Sequence, residues 1–236
     1  MNPYSEDALV EQCAIDVFVK ELGIEHLNCY EEKFPATLGR ETKSDVVIVK
    51  KLGAAIDKLN PGLPEEARKD AIAALIQDRS RLSLVKANQE ICKLLKDGVK
   101  VKTKNAPGVY QYRTVKIIDY NNPKNNDFFL ASQYWVTGEV YTRRPDLILF
   151  VNGLPLVVIE LKARGVDVKR GYEDNITDYK DTIPQVFWYN AFIIISNGRD
   201  ARIGSITSGY EHFSEWKKVE EEKEVGIVSL DRIIKG

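Results

Sequence analysis

Residues 143–164 read RRPDLILFVNGLPLVVIELKAR, and this stretch decides the fold. Two apolar runs, LILFV and LPLVVIEL, flank Asn152-Gly153, a dipeptide suited to a tight hairpin turn. In the second run, strand alternation puts Leu156, Val158, Glu160 and Lys162 on one face and Val157, Ile159 and Leu161 on the other. The strand is apolar on both faces until Glu160, as a covered strand should be. There a carboxylate and an ammonium arrive two residues apart on one face. A site at the end of a buried strand has this pattern, and so does a plain structural salt bridge.

Register sharpens the reading. A three-residue loop, Asn152-Gly153-Leu154, sets Val151 opposite Pro155 and Asp146 directly opposite Glu160, whereas a two-residue loop sends Asp146 to the other face. The three-residue register is the expectation taken forward. Like charges directly opposite destabilise a sheet unless something neutralises them. Oxygen ligands of this kind suit a hard cation such as Mg²⁺ or Mn²⁺. Lys162 then stands where its charge offsets the negative charge that develops when water attacks a phosphodiester. As a bare pattern this is unspecific, because ExK tripeptides are common.

Outward from the hairpin, the first hundred residues read as helices. One is capped by Ser5 and ends at Gly23, and one runs from near Ser44 to Asn60-Pro61. A third opens at Pro64 with Glu65 and Glu66, and a fourth spans about Leu84 to Asp97 and stops at Gly98. After Gly98 the period changes. VKVKT, YQYRTVKIIDY and LASQYWV read as strands. A helix is expected over about Gly171 to Asp181, and FIIIS at 192–196 is apolar on both faces and belongs inside a sheet. The tail from Glu211 is charged. The expectation is an α/β fold with a mixed sheet flanked by helices: a helical region over 1–98 packed on a core over 99–236.

Composition excludes several classes. The 236 residues hold 34 Lys+Arg against 35 Asp+Glu, a net charge of −1, so any DNA contact must come from a local patch. No apolar run approaches a membrane span, and the acidic N-terminus is no secretory signal, so a soluble, cytoplasmic protein is expected. Cys13, Cys29 and Cys92 form no CxxC pair and read as reduced thiols. Only two histidines occur, His26 and His212, and both read as solvated. There is no GxxxxGK[ST] or GxGxxG sequence, hence no recognisable phosphate loop.

Asp146, Glu160 and Lys162 match the PD-(D/E)xK nuclease signature. The longer string RRPDLILFVNGLPLVVIELK resembles the N-terminal nuclease domain of the restriction (R) subunit of type I restriction-modification enzymes. The likeness continues through KLNPGLPEEA, LLKDGVKV, IIDYNNPKNNDFFLASQYWV, DYKDTIPQVFWYNAFIIISNG and ARIGSITSGYEHFSEWK. The resemblance implies a Mg²⁺-dependent endonuclease domain, with Mn²⁺ as a substitute ion, cutting double-stranded DNA in an ATP-driven complex with methylation and specificity subunits. It implies that a helicase-like motor follows in the full-length chain and carries the ATP site. Asp146 and Glu160 become metal ligands and Lys162 the catalytic lysine. Glu11 matches a position where the family carries an acid, a further metal-site carboxylate or a solvated one.

The family's QxxxY motif falls on NITDY, where Tyr179 matches and Asn175 replaces glutamine. Gln185 and Tyr189 satisfy the same spacing beyond Pro184. Arg143, Arg144, Arg164, Lys169 and Arg170 form the local positive cluster, read as phosphate contacts or as ordinary surface charge. Two rival readings stand beside the nuclease: a non-catalytic docking module for the motor or methylase, and a free-standing repair-type nuclease of the same fold.

Overall fold

A computed structural model describes residues 6–106, 109–215 and 233. Helix α1 (Glu6–Asp16) continues through a wide π-helical turn (Val17–Glu21) and leads into β1 (Glu25–Asn28). Helices α2 (Val49–Leu59), α3 (Glu65–Ile76) and α4 (Leu84–Asp97) follow, then the ribbon β2 (Val99–Ala106) and β3 (Val109–Val115). The chain then forms β4 (Phe128–Ser132), the short pair β5 (Val136–Thr137) and β6 (Thr142–Arg143), and the hairpin β7 (Leu147–Val151) and β8 (Leu154–Leu161). A π-helical segment (Gly171–Ile176) runs into α5 (Thr177–Thr182), and β9 (Phe192–Ser196) and β10 (Ala201–Gly204) complete the sheet.

Six strands make one mixed sheet in the order β1-β4-β7-β8-β9-β10. β1 is parallel to β4 and β8 to β9, and the other neighbours are antiparallel. Alternation along the strands feeds two cores. Phe129, Ile148, Phe150, Val158, Ile193 and Ile195 join a large cluster with Leu52, Ile56, Ala71, Leu75 and Ile91 of α2 to α4. Leu130, Leu147, Val157, Ile159, Leu161 and Ile194 join a smaller one with Val10, Ala14, Ile15 and Phe18 of the N-terminal helix. FIIIS is therefore covered on both sides, as its uninterrupted apolar run requires.

Two helices, α3 and α4, follow their sequence signals closely. Buried residues recur at Ala67, Ala71, Leu75 and again at Ala87, Ile91, Leu95, the four-residue spacing of one helix face. Ser83 caps α4 by accepting from the Lys86 amide, and Gly98 ends it with φ +79°. The helix expected from Ser44 starts later, at Val49. Asp45 accepts from the Glu41 and Thr42 amides and holds that segment in a turn, and the Ile48 amide donates to the Gly153 carbonyl. The proposed Ser5 cap and the tail beyond 215, apart from 233, lie outside the described residues.

The reading of residues 1–98 as helical misses β1. EHLN carries no strong alternation, and it becomes a strand only because Phe129–Ser132 offers it an edge to pair with. His26 on this strand is half-buried, its Nε2 2.9 Å from the Ser132 hydroxyl, rather than solvated. The strand expected through 130–136 breaks at Gln133, whose φ of +55° turns the chain out of the sheet.

The hairpin at 147–161 corrects the loop assignment. Val151 pairs with Leu154, so the loop has two residues, Asn152 (φ +52°) and Gly153 (φ +78°), the left-handed pair of a type I′ turn. The register then shifts: Phe150 pairs with Pro155 but Leu149 with Val157, which leaves Leu156 as a bulge. Beyond the bulge Leu147 faces Ile159, and one further step brings Asp146 to Glu160. The expected neighbours arise from a shorter loop plus a bulge.

Asn152 is fully buried. Its side chain donates to the Ile117 carbonyl and to Asn126 and accepts from the Asp127 amide. A Cβ on Gly153 would lie 2.5 Å from the Ile48 carbonyl oxygen and 2.8 Å from the Leu52 nitrogen. We expect Gly153→Ala to cost at least about 1–3 kcal/mol from the left-handed backbone alone, with the clash against α2 added. A urea unfolding midpoint equal to that of the unsubstituted chain would contradict this account.

Candidate active site

Asp146, Glu160 and Lys162 meet at one end of the sheet. Glu160, in the last turn of β8's pleat, is 2% exposed, and Lys162 lies just beyond the strand, its amide donating to the Ser196 carbonyl. The Lys162 ammonium donates to Glu160 Oε1 at 3.0 Å. The second oxygen, Oε2, is buried without a hydrogen-bond partner among the described residues. Asp146 precedes β7, and its Oδ2 accepts from the Leu161 amide at 2.8 Å, fixing it against the end of β8.

Electrostatics make this corner unusual. Burial, and secondarily the Asp146 charge, push the Glu160 carboxyl from its ordinary 4.5 up to about 8, against the pull of Lys162 and the Tyr179 hydroxyl. Glu11 on α1 behaves similarly. Burial and then Asp146 raise it to about 7, although it accepts from Gln133 Nε2 at 2.7 Å and feels Arg144. Glu11 thus reaches Asp146 from the opposite side of the sheet.

The tyrosine helix completes the corner. Asn175 donates to the Tyr179 hydroxyl at 3.2 Å, one turn along the helix. Tyr179 is 5% exposed, and burial first, then the charge of Glu160, hold its hydroxyl well above the ordinary range of a tyrosine. The alternative pair has other partners: Gln185 donates to the Thr137 carbonyl and Tyr189 to the Leu75 carbonyl. Tyr179, held by Asn175, stands beside Glu160, whereas Gln185 and Tyr189 are bonded elsewhere.

The basic residues are less concentrated than their sequence positions suggest. Arg143 is tied to Asp178, Lys169 to Glu173 and Arg170 to Asp174. Arg144 stacks on Tyr30 and Trp135, 4.8 and 4.9 Å from the ring centres. Arg164 is exposed and makes no ion pair among the described residues. Gln133, absent from the sequence-based set, joins this corner: buried, in a left-handed conformation, it bonds Glu11 through its side chain and the Asp146 carbonyl through its amide. No spacing or motif marks it, because its place follows from the break between β4 and β5.

Among the described residues no three His, Cys, Asp or Glu side chains form a ready-made metal cage. The donor set nevertheless fits a hard cation. Mg²⁺ usually takes one or two carboxylates and keeps several waters, and the two carboxylates at this corner repel each other while one buried oxygen lacks a partner.

The metal-free protein should show the strain in its pH dependence. A raised carboxyl contributes stability that is fully present below its unfolded value near 4.5 and is lost as pH rises through about 8. Glu160→Gln keeps the group neutral throughout. In chelator, Glu160→Gln should come nearest to the unsubstituted chain below about pH 4 and exceed it near pH 9 by an amount on the order of a few kcal/mol. Parallel urea midpoints across that range would show that Glu160 is not held in this way.

Residues 3–212 match the family model for the Type I restriction enzyme R protein N terminus. The chain is 37% identical over 210 residues to the Type I restriction enzyme HindI endonuclease subunit of Haemophilus influenzae, covering 86% of this chain and 20% of that one. It is 31% identical over 235 residues to the Putative type I restriction enzyme MjaIXP endonuclease subunit of Methanocaldococcus jannaschii, covering 96% and 22%. The chain therefore spans about a fifth of the length of these relatives. With a mixed sheet of the expected class and a match over nearly its whole length, this chain belongs to the family of type I restriction enzyme R protein N-terminal domains.

Proposed function

We propose that this domain is the DNA-cutting part of a type I restriction endonuclease subunit, hydrolysing phosphodiester bonds of double-stranded DNA with Mg²⁺, for which Mn²⁺ can substitute. The observation that carries the reading is the buried, half-satisfied Glu160 beside Asp146 and Lys162. Asp146 and Glu160 would hold the cation through carboxylate oxygens, with Glu11 near enough to Asp146 to tune its charge. When bound, the ion supplies Lewis-acid activation of the scissile phosphate and of the attacking water.

The chain's own residues account for the rest. Lys162, held beside Glu160 by its bond to Oε1, would place its ammonium toward the charge developing on the phosphate. Asn175 holds the Tyr179 hydroxyl, and Tyr179 in turn stands buried beside Glu160. Arg143, Arg144, Arg164, Lys169 and Arg170 supply phosphate contacts, with Arg164 exposed for the purpose and the exposed pairs of Lys169 and Arg170 weak enough to yield to a polyanion. In the whole enzyme the partners are the methylation and specificity subunits and a helicase-like motor that binds ATP, acting in the cytoplasm. Among the described residues no helix is long and apolar enough to cross a membrane.

In the assembled enzyme, Asp146→Ala, Glu160→Ala and Lys162→Ala should each reduce DNA cleavage by about 10²–10³-fold or more, with ATP hydrolysis retained. Joint loss of both activities on one mutant complex would indicate a docking role instead, and retained cleavage would place the chemistry elsewhere. Independently of activity, Mg²⁺ or Mn²⁺ should raise the melting temperature of the 236-residue chain, and Asp146→Asn with Glu160→Gln should abolish that rise. An equal rise in the double variant would remove these residues as ligands.

A further inference from the structure

The ribbon β2–β3 carries a second basic surface. Its register sets Lys100 opposite Thr114, Lys102 opposite Tyr112 and Lys104 opposite Tyr110. These six side chains share one face, and all are exposed, Tyr112 at 77% and Tyr110 at 51%. On the other face Val99, Val101, Thr103 and Val115 are buried. Packing therefore fixes which way the lysines point.

Three features set this face apart from ordinary surface charge. Lys100, Lys102 and Lys104 have no ion pair among the described residues, although the chain as a whole has as many acids as bases to within one. Successive lysines on one strand face lie about 6.7 Å apart, so they repel one another and gain from a polyanion with regularly spaced charge. Tyr110 lies under two of them, its ring centre 4.2 Å from the Lys102 nitrogen and 5.7 Å from that of Lys104. Lysine on an exposed edge also discourages sheet aggregation, but that purpose would not place two large, exposed aromatic rings on the partner strand.

The base of the ribbon is tied to the far end of the main sheet. Asn152, at the turn of the β7–β8 hairpin, donates to the carbonyl of Ile117, two residues after β3. Asp146 and Lys162 stand at the other end of that hairpin, an eight-residue strand away, or roughly 25 Å.

We propose that the Lys100-Lys102-Lys104 face, with Tyr110 and Tyr112, is a DNA-binding surface that grips the phosphodiester backbone without reading sequence, apart from the residues that cut. The proposal rests on the reading of this domain as one that acts on DNA. Lysines supply phosphate contacts and the tyrosines a ring surface on which a sugar or an unpaired base can lie. Both a duplex and a displaced single strand present this backbone.

The test uses the 236-residue chain in chelator, so that binding is read without cleavage and its failure leaves the cutting residues unjudged. Fluorescence anisotropy with a labelled 30-base-pair duplex and with oligo(dT) gives Kd as a function of salt. Lys100→Gln/Lys102→Gln/Lys104→Gln should raise Kd at low salt at least tenfold and reduce the slope of log K against log salt by about 2 to 3, with an unchanged melting temperature. Replacing the exposed lysines Lys33, Lys50 and Lys124 by Gln should have a much smaller effect. Tyr110→Ser/Tyr112→Ser separates the sources: a loss confined to oligo(dT) identifies a single strand, and unchanged affinities identify the duplex backbone. An unchanged slope in the ribbon variant, an equal loss in the control, or absence of DNA binding by the unsubstituted chain overturns the proposal. So does displacement by polyglutamate at equal charge concentration, which would assign the face to an acidic protein.

Discussion

The register between β7 and β8 is the constraint on which the rest of this molecule depends. A two-residue turn alone would carry the side chains before Leu147 to the wrong face, because strand side chains alternate with a period of two. The bulge at Leu156 restores the phase. It does so in the middle of a strand covered on both sides, where Leu154 and Val158 belong to one core and Val157 and Ile159 to the other. The turn is held from outside the hairpin as well: Asn152 is satisfied by three residues of two other segments, and Gly153 is pressed against the start of α2. The helical first half of the chain thus participates in placing Asp146 next to Glu160.

That placement works against the stability of the fold. A carboxyl removed from water beside another carboxylate favours its protonated form, and one lysine bond does not reverse the effect. Glu11 is in the same condition on the other side of Asp146. A fold optimised only for stability would replace such residues with apolar ones of similar size. A positive charge placed beside these carboxyls would lower their pKa and relieve the cost of their burial.

The charge of the surface is arranged differently. Around the carboxylates most basic side chains are already paired with acids or stacked on rings. On the β2–β3 ribbon Lys102 and Lys104 lie over the Tyr110 ring, but Lys100, Lys102 and Lys104 have no acidic partner among the described residues. A chain with almost no net charge can concentrate positive potential only by leaving particular lysines without partners, and the alternation of VKVKTK does so on one face while its valines join the core. Screening limits each patch to about 10 Å at moderate salt, so the two ends of the sheet act as separate electrostatic regions.

Sequence alone determined much of this. The start of α3 at Pro64, the stop of α4 at Gly98, the two-faced run of FIIIS and the position of the Asn-Gly turn, though not the length of its loop, are local signals, and local physics was enough to place them. The Asp, Glu and Lys of the candidate site were legible because a buried strand that suddenly turns polar is uncommon, and resemblance gave those residues a chemistry. What sequence could not decide is whatever depends on distant partners. EHLN is a strand only because β4 lends it an edge. The bulge at Leu156 leaves no mark in a run of aliphatic residues, since each of them fits either phase until both cores are packed. Gln133 enters the carboxylate corner because the chain turns there, and Arg143 loses its freedom to Asp178, an acid whose proximity only folding creates. In each case the deciding energy is a contact between segments far apart in the chain, which tertiary structure alone supplies.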